Sequence, residues 1–202
     1  MQAPLAMADG DYRAQLLEIF AGLRAPGPRA ISVGAGNGCM EAELAAAGWD
    51  VLATDPAASA LEHCQAKGLQ TARMKLGDEL GLGRFDVIYC DGVLGHLWEP
   101  GAATDRAWRA LADLGHAGSL CIASNDLSDD DAQPRFAVRG SSAAGFYRPP
   151  AGHFGLEAIG TGSWASEAEV IYPYRRGECM RRREILVTRL LVDERVKLED
   201  GL

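Results

Sequence analysis

The sequence predicts an α/β fold on a doubly wound, mostly parallel sheet, and three stretches carry that prediction. In the first, the apolar run Ala30-Ile31-Ser32-Val33 enters Gly34-Ala35-Gly36-Asn37-Gly38, and helix-forming residues 40–47 follow. Strand, tight turn and helix in that order make the opening unit of a βαβ fold. Glycines at alternate positions let the turn take backbone angles that a Cβ forbids and let a ligand come close to the main chain. The helix start behind them offers unpaired N–H groups to an electron-rich ligand. In the second stretch, Val51-Leu52-Ala53-Thr54 ends in Asp55, seventeen residues after Gly38. A carboxylate at that strand tip is placed to accept two hydrogen bonds from a ribose diol. In the third, the apolar runs at residues 167–172 and 184–192 are joined by a connection too short for anything but antiparallel pairing.

The remaining elements fall between these. Residues 11–20 read as an amphipathic helix with Leu16, Leu17 and Phe20 near one face, ended near Gly22 and cut off by Pro26-Gly27-Pro28. Residues 57–67 read as a helix closed by Gly68, and residues 71–75 as a short third strand. Phe85-Asp86-Val87-Ile88-Tyr89-Cys90 is strand four, residues 108–114 continue a helix, and residues 119–123 are strand five. Residues 126–150 lack periodicity, and a stretch that long on the ligand side of a sheet is expected to be a lid. The chain is expected to be one domain over residues 1–202, with an N-terminal helical segment at 1–28 and a substrate lid at 126–155.

The ordered series resembles the class I S-adenosylmethionine-dependent methyltransferases. The dinucleotide pattern G-x-G-x-x-G would need a small residue where Cys39 stands; the pattern present is G-x-G-x-G. The matching pieces are Val33-Gly34-Ala35-Gly36-Asn37-Gly38, Asp55, Gly77-Asp78-Glu79-Leu80, Phe85-Asp86-Val87-Ile88, Gly92-Val93-Leu94-Gly95-His96-Leu97 and residues 114–120. One departure is Gly115-His116-Ala117-Gly118, where the family often has a Pro-Gly-Gly turn. The resemblance implies a seven-stranded sheet with an antiparallel last strand, helices on both faces, and S-adenosylmethionine as cofactor. It implies cofactor contacts at Gly34, Ala35, Gly36, Gly38, Asp55, Pro56, Asp78, Glu79, Asp91 and Gly92, with Asp78 on the adenine amino group. Tyr12, on the early helix, would reach the cofactor or else serve only in packing.

Composition narrows the partners. A 202-residue chain with 48% hydrophobic and 24% charged residues has room for a full core, and no apolar run reaches the length of a membrane span. A net charge of −8 argues against nucleic acid, and the Asn/Asp-Pro-Pro-aromatic motif of base-amino methyltransferases is replaced by Asp91-Gly92-Val93-Leu94. Residues 1–10 lack a secretory signal, and five scattered cysteines without C-x-x-C read as free thiols, so a cytoplasmic location is expected. A homodimer is left open.

Methyl transfer from a sulfonium needs alignment of nucleophile, methyl and sulfur, with a base only where the nucleophile must lose a proton. The candidates for that chemistry are His96, His153 and Asp91; His116 reads as structural. Substrate contacts are expected from His96, Asn125, Tyr147, Arg148, His153, Tyr174 and Arg175. Arginines 135, 139, 148, 175, 176 and 181–183 would gather at the rim, either to attract an anionic acceptor or to pair with the surplus of Asp and Glu. The expected function is methyl transfer to a small-molecule N or O nucleophile, a specialised metabolite among the candidates. The alternatives are a magnesium-assisted catechol-type O-methyltransferase using Asp91, Asn125 and Asp126, and a non-methylating S-adenosylmethionine cyclase or lyase. A nicotinamide oxidoreductase or a non-catalytic nucleoside-binding module is the remaining class. No metal site is expected from the primary reading.

Overall fold

The computed structural model describes residues 10–78, 81–94, 105–126, 164–176 and 179–191. Helix α1 (Gly10–Gly22) leads into strand β1 (Arg29–Val33), helix α2 (Cys39–Ala46), strand β2 (Asp50–Asp55), helix α3 (Ala58–Gln65) and strand β3 (Gln70–Arg73). Strand β4 (Phe85–Asp91), helix α4 (Asp105–Ala112), strand β5 (Gly115–Asp126), strand β6 (Trp164–Arg176) and strand β7 (Cys179–Leu190) complete the described elements. The seven strands form one sheet in the order β3-β2-β1-β4-β5-β7-β6. Strands β1 to β5 pair in parallel, and β7 runs antiparallel to both β5 and β6. The expected α/β class, with a reversed last strand, is the one observed.

Alternation along each strand divides the core into two layers. Ile31, Val33, Ile88, Cys90, Cys121, Ala123 and Leu186 pack with Trp108 and Leu111 of α4 and with Trp164. Ala30, Val87, Leu120, Ile122, Ile185 and Val187 point the other way, onto Tyr12, Leu16 and Phe20 of α1 and Met40 and Leu44 of α2. Side chains two apart share a face of a strand, which is why these sets interleave. Arg13 bonds Glu43 at 2.7 Å and ties α1 to α2.

Two boundaries differ from the sequence reading. The hairpin expected at residues 172–177 is strand: β6 continues to Arg176, which pairs with Cys179. Pro173 is tolerated there because β6 is an edge strand, where a missing N–H need not break a ladder. The turn expected at residues 115–118 lies inside β5 as a bulge, since Phe85 pairs with Gly115 and Val87 with Leu120. His116 is held in that bulge, its ring 3.2 Å from Asp86 Oδ1 and 3.0 Å from the Ala117 carbonyl. Cys64, Cys90 and Cys121 are buried free thiols and Cys39 is a partly exposed one. Among the described residues no helix is long and apolar enough to cross a membrane. The expected lid begins at Asp126, which is the last residue of β5; its remainder and the segments at 1–9 and 127–163 lie outside the described residues.

Candidate functional site

The site begins where β1 ends. Gly34 and Ala35 both donate their N–H to the Thr54 carbonyl at 2.8 Å, so the glycine turn is stitched to β2 rather than continuing β1. Gly36 sits at φ 57° and Gly38 at φ 70°, the left-handed region that favours glycine. A Cβ on Gly38 would fall 2.8 Å from Cys64 Sγ and 3.2 Å from the Cys64 backbone, so this glycine lets α3 pack under the turn. A Cβ on Gly36 would meet nothing within 4 Å. That open face of the main chain is a cradle for a ligand.

Asp55, at the tip of β2, fixes the turn from below. Its Oδ2 accepts from Gly36 N at 3.1 Å and its Oδ1 from Ala57 N at 2.8 Å. Each carboxylate oxygen keeps a second lone pair for a diol. Beside it, the Pro56 carbonyl accepts from Arg73 Nε at 3.0 Å. Asp78 closes the turn after β3, its Oδ2 accepting from Lys75 N at 2.8 Å. The three strand tips β3, β2 and β1 thus present Asp78, Asp55 and the glycine turn in one row.

On the β4 side a polar column caps the apolar layer under α1 and α2. The register that points Ala30, Val87, Ile122 and Ile185 to that layer points Ser32, Tyr89, Asp91, Ser124 and Arg183 to its upper end. Asp91 and Arg183 form a buried ion pair, with side chains 8% and 5% exposed. Arg183 Nε also donates to Asp91 Oδ1 at 2.9 Å and to the Tyr12 hydroxyl at 3.0 Å. Ser124 donates to Asp91 Oδ1, Tyr89 donates to its Oδ2 at 3.3 Å, and the Arg183 guanidinium lies 5.5 Å over the Tyr12 ring. Burial, reinforced by the Asp91 charge, pushes the Tyr12 and Tyr89 phenols well above their ordinary range, so both stay protonated donors. Gly92 follows with its N–H on the Ser124 carbonyl at 2.7 Å.

A small cavity of about 30 Å³ lies between the two halves, lined by Gly34, Gly36, Asn37, Glu41, Tyr89 and Asp91 among others. Glu41, on the first turn of α2, is 3% exposed and accepts a 2.6 Å hydrogen bond from the Ser32 hydroxyl. Burial raises its carboxyl to about 7, against the lowering effect of Ser32.

The structure therefore brings together Gly34, Ala35, Gly36, Gly38, Asp55, Asp91 and Gly92, with Pro56 and Asp78 on the β2–β3 flank. Two expectations need correction. Tyr174, read as a substrate contact, is buried in the layer under α1. Arg183, read among rim arginines, is turned inward onto Asp91, whereas Arg182 is exposed. Asp91, offered as a catalytic group and a magnesium ligand, has its carboxylate engaged by Arg183, Ser124 and Tyr89. Tyr12 is fully buried and meets the site through Asp91. Among the described residues no three His, Cys, Asp or Glu side chains are grouped to hold a metal ion. Glu79, His96, Tyr147, Arg148 and His153 lie outside the described residues; Asn125 and Arg175 are on β5 and β6, with side chains outside the described part. Sequence reasoning missed Ser32, Glu41 and Ser124.

Comparison with known proteins extends the same frame. Residues 31–117 match the family described as a methyltransferase domain. A tabtoxin biosynthesis enzyme of Pseudomonas amygdali pv. tabaci is 29% identical over 169 residues, covering 82% of this chain and 66% of that protein. A ubiquinone biosynthesis O-methyltransferase of Methylococcus capsulatus is 33% identical over 91 residues, covering 41% of this chain and 38% of that protein. The chain thus spans about two thirds of the first relative's length and about two fifths of the second's. Among solved structures, the N-methyltransferase NodS of Bradyrhizobium japonicum superposes with a TM-score of 0.65 at 14% identity, over 90% of this chain and 95% of that one. A TehB-like S-adenosylmethionine-dependent methyltransferase of Corynebacterium glutamicum does so with a TM-score of 0.59 at 19% identity, over 88% and 86%.

Proposed function

We propose that this chain is a class I S-adenosylmethionine-dependent methyltransferase that transfers a methyl group to a small-molecule N or O nucleophile. The observation that carries the reading is the cradle at Gly36, open to the space where a Cβ would stand and flanked by Asp55 at the next strand tip. These residues fit the cofactor. In this reading Asp55 accepts from the ribose diol, Asp78 reaches the adenine edge, and the β4 tip at Asp91 and Gly92 borders the amino-acid end. When bound, the cofactor supplies an electrophilic methyl on a sulfonium, so the chain's work is alignment and the exclusion of water.

Asp91 acts here as a positioning residue. Clamped by Arg183, Ser124 and Tyr89, its carboxylate fixes the tip of β4 and the turn at Gly92 that borders the transfer site. His96 and His153 remain the proposed groups to take a proton from an acceptor that carries one. The relative named for tabtoxin biosynthesis supports an acceptor from specialised metabolism. Further parts of the proposal are a cytoplasmic location, a homodimer, and a substrate lid over residues 126–155.

The test is binding followed by transfer. Calorimetry with S-adenosylhomocysteine should show one site per chain, and a panel of amine, carboxylic acid and phenol acceptors with methyl-labelled cofactor should identify the acceptor class. Conversion of the cofactor to methylthioadenosine without an acceptor would instead establish the lyase chemistry.

A further inference from the structure

Glu41 has the geometry of a cation site. It is buried on the first turn of α2, and its carboxyl borders the cavity beneath the glycine turn. The groups that bond it are neutral: the Ser32 hydroxyl and its own backbone N–H. Asp91, the other carboxylate on the cavity, is already matched by Arg183, so it neither needs nor readily takes a second cation. Among the described residues, no group facing Glu41 pairs with it as a cation. From β4 come Tyr89 and Asp91, from α3 comes Cys64, and after α3 comes Lys67, whose charge is the least of the influences on Glu41 and whose ammonium is bonded to the Asn37 carbonyl at 2.7 Å. From α1, Arg13 is taken by Glu43 and Tyr12 by the Asp91 cluster. A carboxyl buried beside an open cavity and lacking a cation is unfavourable when ionised, and a cation arriving from outside would relieve that.

The cofactor of the reading above carries such a cation on its amino-acid tail. With ribose at Asp55 on β2, a cofactor running across the glycine turn of β1 toward β4 would bring its amino-acid tail to the Glu41 cavity. At about 30 Å³ the cavity exceeds the roughly 10–15 Å³ that admits one water, so it has room for an ammonium head.

We propose that Glu41 receives the α-ammonium group of the cofactor's amino-acid tail, and that its carboxyl releases a proton to solvent as that cation arrives. This rests on the cofactor reading above and deepens it. The Glu41 O–H bond breaks, the proton passes to buffer, and the carboxylate left behind pairs with an ammonium that keeps its own protons. Binding is thereby coupled to pH through a residue on a helix rather than through a substrate base. Since the free carboxyl titrates at about 7, affinity should rise with pH up to neutrality and level off above it.

The experiment is calorimetry of the whole chain with S-adenosylhomocysteine and with methylthioadenosine, which carries the nucleoside and thioether but no amino-acid tail. Each is titrated at pH 6.5 and 8.5 in two buffers of different ionisation enthalpy. S-adenosylhomocysteine should release most of one proton at pH 6.5 and close to none at pH 8.5, and methylthioadenosine none at either. Glu41→Gln should abolish the release and weaken S-adenosylhomocysteine by about tenfold or more while leaving methylthioadenosine within about twofold. Wild-type proton counts stand even if that variant folds poorly, and Ser32→Ala, which keeps the carboxyl, should still release a proton. The inference is overturned if S-adenosylhomocysteine binds without proton release, or if methylthioadenosine releases as much. It is also overturned if Glu41→Gln leaves S-adenosylhomocysteine affinity and proton release unchanged. If neither ligand binds, the cofactor reading itself fails, and the proposal with it.

Discussion

Replacing Arg183 by Met should cost more stability than almost any other single change at the site. The side chain is of similar length and apolar, so volume is nearly kept while the charge is lost. Asp91 then holds a carboxylate that is 8% exposed with no cation against it. Breaking a buried pair by removing one partner costs about 3–5 kcal/mol, because the remaining charge stays desolvated. The hydroxyls of Ser124 and Tyr89 still donate to Asp91, which holds the expectation to the lower half of that range. In a chain of 202 residues, each kcal/mol moves the melting temperature by about 2–4 °C, so a fall of roughly 6–15 °C is expected. Arg183→Lys keeps the charge but loses the fork that reaches Asp91 and Tyr12 together, and should fall between. The double change Asp91→Leu with Arg183→Met removes both charges and should recover much of the loss. Urea unfolding of the wild type, Asp91→Leu, Arg183→Met and the double variant measures the coupling between the two sites. If Arg183→Met loses less than about 0.5 kcal/mol, or the double variant is as weak as the sum of the singles, the pair does not organise the β4 tip as argued.

Three further outcomes follow from the geometry. Gly36→Val should abolish S-adenosylhomocysteine binding in calorimetry and lower the melting temperature, because a branched side chain enters the open space of the cradle and is strained at φ 57°; unchanged affinity would remove the cradle from the site. Asp55→Ala should weaken the same ligand by about 2–4 kcal/mol and also loosen the glycine turn, since Gly36 and Ala57 lose their acceptor; a full-affinity variant would mean that the carboxylate only braces the turn. Glu41→Gln should flatten the pH dependence of stability. The folded carboxyl stands at about 7 against an ordinary 4.5, so its favourable effect is complete below 4.5 and lost as pH rises through 7, by about 3 kcal/mol at about 1.4 kcal/mol per tenfold in proton concentration. Urea unfolding free energies of the wild type and the variant should therefore converge or cross over that window. A difference constant from pH 4.5 to 7.5 would show that Glu41 is not desolvated.

The sheet was readable because its signals are local. Apolar runs with period two, a glycine turn with a helix behind it, and a terminal connection too short for a crossover each specify pairing without reference to the rest of the chain. Boundaries were lost where tertiary context overrode a local cue. Pro173 looks like the end of a strand, yet on the edge strand β6 it costs no ladder bond and the strand runs on to Arg176. Gly115 and Gly118 look like a turn, yet extra residues are taken up as a bulge between Phe85 and Val87.

The glycine turn and Asp55 were visible for the same local reason, but the charged half of the site was not. The apolar run of the last strand begins at residue 184, so the sequence alone leaves the parity of Arg183 open and groups it with Arg181 and Arg182 at a rim. Once β7 begins at Cys179, the face shared by Val187 and Ile185 includes Arg183, and a long cation on an inward face requires a buried anion. Asp91 meets the same condition on β4, two residues beyond Tyr89 and four beyond Val87. Glu41 was hidden by a different ambiguity: an acidic residue in a first helical turn is ordinarily explained by the helix dipole. Yet Met40 and Leu44 define the buried stripe of α2, and position 41 lies beside it, three residues before Leu44. A carboxyl on the apolar side of a short helix, opposite a serine in an apolar strand, is a signal that needs both elements in view. The pairing of Ser32 with Glu41 was therefore in the sequence, but only the packing of α2 on β1 makes it a site.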